Sequence, residues 1–307
     1  MSLLRSRTGQ TSRSEFDHEP LSLNEIEGAG EGAKHSLFIG RCSNPKCRSG
    51  WLQLFRGRTR PVFEGGWTCS ADCTRERLEN AVRRELGGWM PKVEPHRHRI
   101  PLGLLMLERG WITSHQLQQA IAAQREEGKF RIGEWLVKQG ATSEALVARA
   151  LSVQWGCPIL SAANLKLSTE LLPRLFIDAF GALPLEDSSG RILYLGFEQS
   201  VDTALALSIE RIMGKRIDCG ILPSSSYVEV LGRVSDQRFP QVQVAEAVSE
   251  SAAARLFAKS IEREQPISSR LVRAHEWLWL RMILKEHAAS AAGCEGIRDL
   301  VCRVGAI

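Results

Sequence analysis

Residues 101–124, PLGLLMLERGWITSHQLQQAIAAQ, return thirty positions later as RIGEWLVKQGATSEALVARALSVQ over residues 131–154. Gly103 pairs with Gly133, Gly110 with Gly140, Ala120 with Ala150 and Gln124 with Gln154. Size and polarity are kept at Leu102/Ile132, Met106/Leu136, Leu107/Val137, Thr113/Ser143, Leu117/Val147 and Ile121/Leu151. Two glycines, a hydroxyl and a terminal amide in register mark a true internal repeat. Each copy reads as a helical hairpin. A short apolar helix over Leu102–Arg109 stops at Gly110, which suits the left-handed position after a helix end. Thr113 follows as N-cap, and Gln116 completes a capping box. The second helix carries Leu117, Ala120, Ile121 and Gln124 on one face. Gly140 and Ser143 repeat the plan, and two such hairpins would pack about a pseudo-twofold axis.

The tandem pattern (R/K)-L-G-x-x-L-(V/I)-x-x-G followed by L-x-x-x-L-x-x-Q resembles the N-terminal domain of GspE/MshE-type secretion and pilus ATPases. The resemblance continues through Trp155-Gly156-Cys157-Pro158, Leu171-Leu172-Pro173, Ala182-Leu183-Pro184-Leu185, Ile192–Phe197 and Met213-Gly214-Lys215-Arg216-Ile217. It spans about residues 100–233. In some members this domain binds cyclic di-GMP, one motif per half of the dinucleotide; in others it docks onto an inner-membrane partner. The resemblance therefore implies a first half-site of Leu102, Gly103, Gly110, Leu117, Ile121 and Gln124. A second half-site is implied at Arg131, Ile132, Gly133, Gly140, Val147, Leu151 and Gln154. The leading basic residue is Arg131 in the second copy but Pro101 in the first, where only Arg97 and Arg99 are at hand to replace it. Retained dinucleotide binding and a scaffold that has lost it both stay open.

No G-x-x-x-x-G-K-[ST] phosphate loop occurs; Gly214-Lys215 is followed by Arg216 and lacks the upstream glycine. Nor is there a G-x-S-x-G elbow, an H-E-x-x-H helix or a nucleophile–base pattern. His18, His35, His115, His275 and His287 are scattered and read as surface or satisfied core groups. A non-enzymatic protein is expected.

Four of the eight cysteines cluster as Cys42-x4-Cys47 and Cys69-x3-Cys73. Two close pairs around a hairpin-sized insert suit a structural, tetrahedral zinc, which four thiolates would close to chemistry. Unmetallated core thiols are the alternative. Within the insert, Trp51–Phe55 and Pro61–Trp67 read as strands around the tip Arg56-Gly57-Arg58-Thr59-Arg60, and a helix runs from about Ala71 to Leu86. This is a small zinc-ribbon or treble-clef-like module. Its arginines suit a protein or anionic membrane contact better than nucleic acid. Cys157, Cys219, Cys294 and Cys302 read as small buried hydrophobes.

At 307 residues, 43% hydrophobic and net charge +5, the chain reads as a soluble α+β protein of several small domains. It contains no apolar run long enough to span a membrane and no signal peptide, and the thiols suit a reducing cytoplasm. The expected organisation is a disordered tail at 1–36 and a zinc module at 37–90. Tandem hairpins at 100–156 follow, then a small α/β part at 157–233 with helices near 168–180, 201–213 and 224–233 and strands at Ile192–Phe197 and Arg216–Ile221. A mainly helical region covers 245–307, with Ala245–Glu264 one of its helices. Ser268–His287 is read as helix, with a hairpin turning at His275-Glu276 as the alternative. A protein partner of secretion, pilus or other type is expected.

Overall fold

The computed structural model describes residues 42–48, 60–87, 99–285 and 294–305. The expected tail at 1–36, the strand at 51–55, most of the arginine tip and the linker carrying Arg97 lie outside the described residues.

The repeat forms four helices, α2 (Leu102–Glu108), α3 (Ser114–Glu127), α4 (Ile132–Lys138) and α5 (Glu144–Trp155). Both short helices end alike. Gly110 and Gly140 take φ of 68° and 67°. The amides of Trp111 and Ala141 reach back to the carbonyls of Met106 and Leu136, each 2.9 Å. This Schellman closure satisfies the last carbonyls of the helix. Thr113 and Gln116 make the capping box, and Ser143 caps α5. α2 packs on α5 and α3 on α4, so each copy's first helix lies against the other copy's second. The two glutamines tie the copies reciprocally. Gln124 Nε2 donates to the Phe130 carbonyl ahead of copy two at 3.0 Å, and Gln154 Nε2 to the Ile100 carbonyl ahead of copy one at 2.7 Å.

A four-stranded sheet follows, ordered β3 (Leu165–Leu167), β4 (Leu183–Asp187), β5 (Leu193–Phe197), β6 (Ile217–Ile221). β5 and β6 are parallel, joined by α7 (Thr203–Met213), while β3/β4 and β4/β5 are antiparallel. α6 (Arg174–Phe180) and α8 (Ser224–Val234) complete this part.

The C-terminal region is not mainly helical. Residues 241–304 form β7 (Gln241–Ala247), α9 (Glu250–Glu264), β8 (Ser268–Ala274), β9 (Trp277–Ile283) and β10 (Ile297–Val304), in sheet order β7-β10-β9-β8. The expected helix from Ala245 begins instead at Glu250, capped by Ser249, and the stretch before it pairs with β10. Where a helix was expected from Ser268, residues Ser268–Ile283 form a hairpin turning at His275-Glu276, with His275 at φ 53°. The physical reason is burial on both faces. Leu271, Leu278, Leu280, Met282 and Leu300 face one core; Val272, Ala274, Trp279 and Val301 face another. A strand covered on both sides reads as a near-continuous apolar run, without the alternation that betrays strands.

Pro61–Trp67 is likewise not a single strand. It folds into β1 (Val62–Phe63) and β2 (Gly66–Trp67) through Glu64 and Gly65, both at positive φ. α1 (Ala71–Gly87) then packs on α9 and β8, and Phe63, Leu78, Ala81 and Val82 share one core with Phe257, Ile261 and Leu271. β1 also bonds along β8. Val62 N donates to Pro266 O at 3.0 Å, Glu64 N to Ser269 O at 2.8 Å and Ser269 Oγ to Val62 O at 2.7 Å. The cysteine module and the C-terminal sheet are one packing unit, not two separate ends.

Polar anchors join the parts. Arg281 grips Asp299 through two bonds of 2.9 and 2.8 Å with both side chains buried. Glu85, 2% exposed, accepts from Arg211 at 2.9 and 2.6 Å and from the Arg273 amide at 3.0 Å. Burial pulls the Glu85 carboxyl upward, but the Arg211 and Arg84 guanidiniums and the Arg273 amide outweigh it and hold the group below its ordinary value.

Candidate functional site

A cavity of about 460 Å³ opens between the second hairpin and the carboxyl ends of the parallel strands β5 and β6. This lies within the roughly 300–1,000 Å³ usual for small-molecule sites, and strand carboxyl ends are where open α/β sheets bind ligands. α4 and α5 supply Arg131, Ile132, Gly133, Glu134, Val137, Lys138, Glu144, Val147, Leu151, Gln154 and Trp155. The loop after β5 adds Glu198, Gln199 and Ser200, and the turn after β6 adds Leu222, Pro223 and Ser224. Leu102 is the first copy's contribution.

The cavity thus gathers Leu102, Arg131, Ile132, Gly133, Val147, Leu151 and Gln154 from the sequence-derived set. Gly103, Gly110, Leu117, Ile121, Gln124 and Gly140 do not line it. Their surroundings give them other work. A Cβ on Gly103 would come within 2.5 Å of Leu117 Cδ1, and Leu117 lies in the core of the repeat. Gly133 is nearly as tight, its Cβ direction 2.9 Å from Val147 Cγ1 and 3.2 Å from Leu102 Cδ2. Glycine there lets the two helices of a hairpin close together while the Gly133 backbone still faces the cavity.

Charge in the cavity is mixed. Arg131 and Lys138 meet Glu134, Glu144 and Glu198. Glu134 Oε1 accepts from Gln199 Nε2 at 2.8 Å. Glu144 accepts the Ser225 amide in the first turn of α8, where the helix dipole favours a carboxylate. Lys138 sits over the Phe130 ring. Two buried polar atoms on cavity residues, Trp155 Nε1 and Gln199 Oε1, have no hydrogen-bond partner among the described residues. Left unpaired, such atoms cost about 1–3 kcal/mol each, and being shielded from solvent they are not presented to the cavity. Arg99, flagged as a substitute for the missing first-copy cation, stacks its guanidinium 3.3 Å from the Trp155 ring centroid. It is thereby held against Trp155, a lining residue, and does not itself line the cavity.

The four cysteines converge. Sγ atoms of Cys42, Cys47, Cys69 and Cys73 all lie within 4.8 Å of one another, with Cys47–Cys69 at 3.4 Å and Cys69–Cys73 at 3.5 Å. Tetrahedral zinc–thiolate bonds of about 2.3 Å put ligand sulfurs about 3.8 Å apart, so the donor set fits. Ser70 Oγ accepts from Cys73 N at 3.3 Å, and buried Asn44 donates to Glu76 at 2.8 Å. Burial first, and the Cys69 thiol beside it, push the Cys42 thiol up to about 12 against the Asn44 and Cys69 amides. Desolvation likewise raises Cys73.

No family profile matches the sequence. Over 103 residues the chain is 33% identical to the type IV pilus assembly ATPase PilB of Thermus thermophilus. That stretch is 30% of this chain and only 11% of the relative. Among solved structures, MshE with cdg is 25% identical at a TM-score of 0.37, covering 44% of this chain and 99% of that one. The N-terminal domain of XpsE is 19% identical at a TM-score of 0.32, covering 43% and 92%. Among the described residues no helix is long and apolar enough to cross a membrane.

Sequence reasoning missed Glu134, Lys138, Glu144, Trp155 and the two loops at 198–200 and 222–224. The loops were within reach, because each directly follows a recognised strand, Ile192–Phe197 or Arg216–Ile221, and carboxyl ends of parallel neighbours are the place to look. The carboxylates occupy variable positions of the repeat and carry no signal of their own.

Proposed function

We propose that this chain is a non-enzymatic regulatory or adaptor protein whose second repeat copy holds a nucleotide of the cyclic di-GMP class. In this reading it relays the bound state to a protein partner of secretion or pilus type. The observation that carries the reading is the cavity itself. Seven motif residues come together in it, and Arg131 at the start of α4 supplies a cation. An arginine can pair with phosphate or with the O6/N7 edge of guanine, and the carboxylates of Glu134 and Glu198 suit the N–H donors of a guanine. Cyclic di-GMP is the ligand the motif resemblance suggests, and MshE was determined with cdg, which is cyclic di-GMP.

The cysteine cluster holds zinc in this reading, as a structural centre that leaves no coordination position for chemistry. Cysteines gathered for a metal rather than for disulfides fit a reducing, cytoplasmic compartment. Calorimetric titration with cyclic di-GMP tests the nucleotide assignment: saturable binding of one ligand per chain is expected, and no heat at high micromolar ligand would reject it. A second reading, a protein-interaction scaffold that binds no nucleotide, is favoured by Pro101 and by three carboxylates against two cations in the cavity. That titration separates the two.

A further inference from the structure

We propose that His275, at the tip of the β8–β9 hairpin, is a positioning residue for the cavity, fixing its 198–200 wall through Asp202. The inference rests on the cavity being the ligand site, and it extends that site's determinants into the C-terminal sheet.

The wall segment is pinned at two ends. At one end Gln199 Nε2 donates to Glu134 Oε1 of α4 at 2.8 Å. At the other, three residues on, Asp202 caps α7 by accepting the Leu205 amide on Oδ1 at 2.9 Å. Its second oxygen, Oδ2, accepts from His275 Nε2 at 2.6 Å. Val201 between them is buried at 8% exposure, so a shift of Asp202 would move Gln199 and Ser200 together. The imidazole has little freedom. Its ring lies 4.6 Å from that of Phe180, Arg273 Nε donates to the His275 carbonyl at 2.7 Å, and the backbone turns there at φ 53°. The hairpin that carries it is packed on both faces, and such packed elements transmit strain rather than absorb it.

The bond is also sensitive to protons. Asp202 raises the His275 pKa above its ordinary value against desolvation, and Glu276 adds to this while Arg273 opposes it. Those are the charged groups acting on the imidazole; α6 presents the Phe180 ring. Because the folded value is raised, the charged brace is complete below the ordinary histidine pKa and is lost as pH rises through the folded value.

The test uses the full chain with His275→Ala, His275→Gln and Asp202→Asn; asparagine keeps the helix cap while removing the charge. Imidazole titration by NMR should put His275 above about 6.5 in the wild type and nearer that value in Asp202→Asn. Hydrogen exchange at the amides of residues 199–205 should quicken about tenfold in His275→Ala, with partial rescue in His275→Gln, which keeps an N–H donor. Cyclic di-GMP affinity should fall several-fold in His275→Ala, and its decline with rising pH should flatten in His275→Gln. Unchanged exchange at 199–205 in His275→Ala, or in Asp202→Asn should the alanine variant not fold, overturns the proposal. If exchange and titration behave as expected while no variant binds cyclic di-GMP, the ligand assignment fails and the wall-positioning role stands.

Discussion

If the cysteine cluster holds zinc as proposed, its removal by Cys69→Ser should be felt well beyond the cysteines. Cys69 lies centrally in the cluster, 3.4 Å from Cys47 and 3.5 Å from Cys73, and Cys73 sits in the first turn of α1. Loss of the ion would free that turn and the knuckle at 42–48. The rest of α1 is committed to the C-terminal sheet: Phe63, Leu78 and Val82 are 1%, 0% and 0% exposed against Phe257, Ile261 and Leu271. At about 1.5–3 kcal/mol for each large side chain, these three contribute about 5–9 kcal/mol of shared burial, as an upper estimate. A whole domain is commonly stable by about 5–15 kcal/mol, so a module that frays without its metal exposes a core the sheet cannot easily do without. Hydrogen exchange is the assay, with metal analysis alongside. Wild type should carry about one zinc per chain; Cys69→Ser should carry none and show faster exchange in α1, along the inner face of α9 and in β8. Exchange in α3 and α5 should not change. If α9 and β8 keep full protection after the metal has gone, the shared core does not depend on the ion and the reasoning fails.

Arg131→Ala should weaken cyclic di-GMP binding about ten- to a hundredfold, a loss of about 1–3 kcal/mol, and more than Arg99→Ala does. Pro101→Arg should strengthen it, since Pro101 precedes α2 as Arg131 precedes α4 and the change restores the missing basic residue; no binding by either the wild type or Pro101→Arg would leave the scaffold reading. Gln154→Leu and Gln124→Leu should each lower stability in denaturant melts by about 1 kcal/mol, because each removes one of two equivalent ties; a neutral result for both would deny the ties any role. Glu85, held below its ordinary pKa, contributes stability above about pH 4.5 that is lost as pH falls through its folded value. Glu85→Gln should therefore be less stable than wild type at pH 7 and lose less on acidification; equal acid sensitivity in urea titrations would refute this.

The repeat was legible because its punctuation is local. Gly110, Thr113 and Gln116 act within one turn of where they stand, and the structure uses each as the sequence suggests. β5, α7, β6 and α8 were legible for the same reason, each bounded by Gly, Pro or a capping residue. The C-terminal sheet was not. Leu271, Leu278, Trp279 and Met282 satisfy a helical spacing and a doubly buried strand equally well, and only the partners β10 and α9 decide between them. β7 was obscured by Ala245 and Ala247, small enough to continue into the helix that follows. The cavity was half legible: motif residues gave its repeat side, whereas Gln199 and Ser224 arrive from loops whose distance from the repeat is set by tertiary packing alone.

The bonds from β1 to β8 join residues about two hundred positions apart; Ser269 and Val62 are separated by 207. During synthesis at about 5–20 residues per second, α1 emerges roughly 10–40 s before the strand that receives it. Throughout that interval Leu78 and Val82 have no core to enter. Contacts of such long sequence separation also pay their loop-closure entropy late and form slowly. On the proposed zinc reading, a metal captured early by Cys42, Cys47, Cys69 and Cys73 would hold the module together through the wait; its largest effect would then fall on the yield of folded chain, and starvation for zinc should appear first as aggregation of newly made protein.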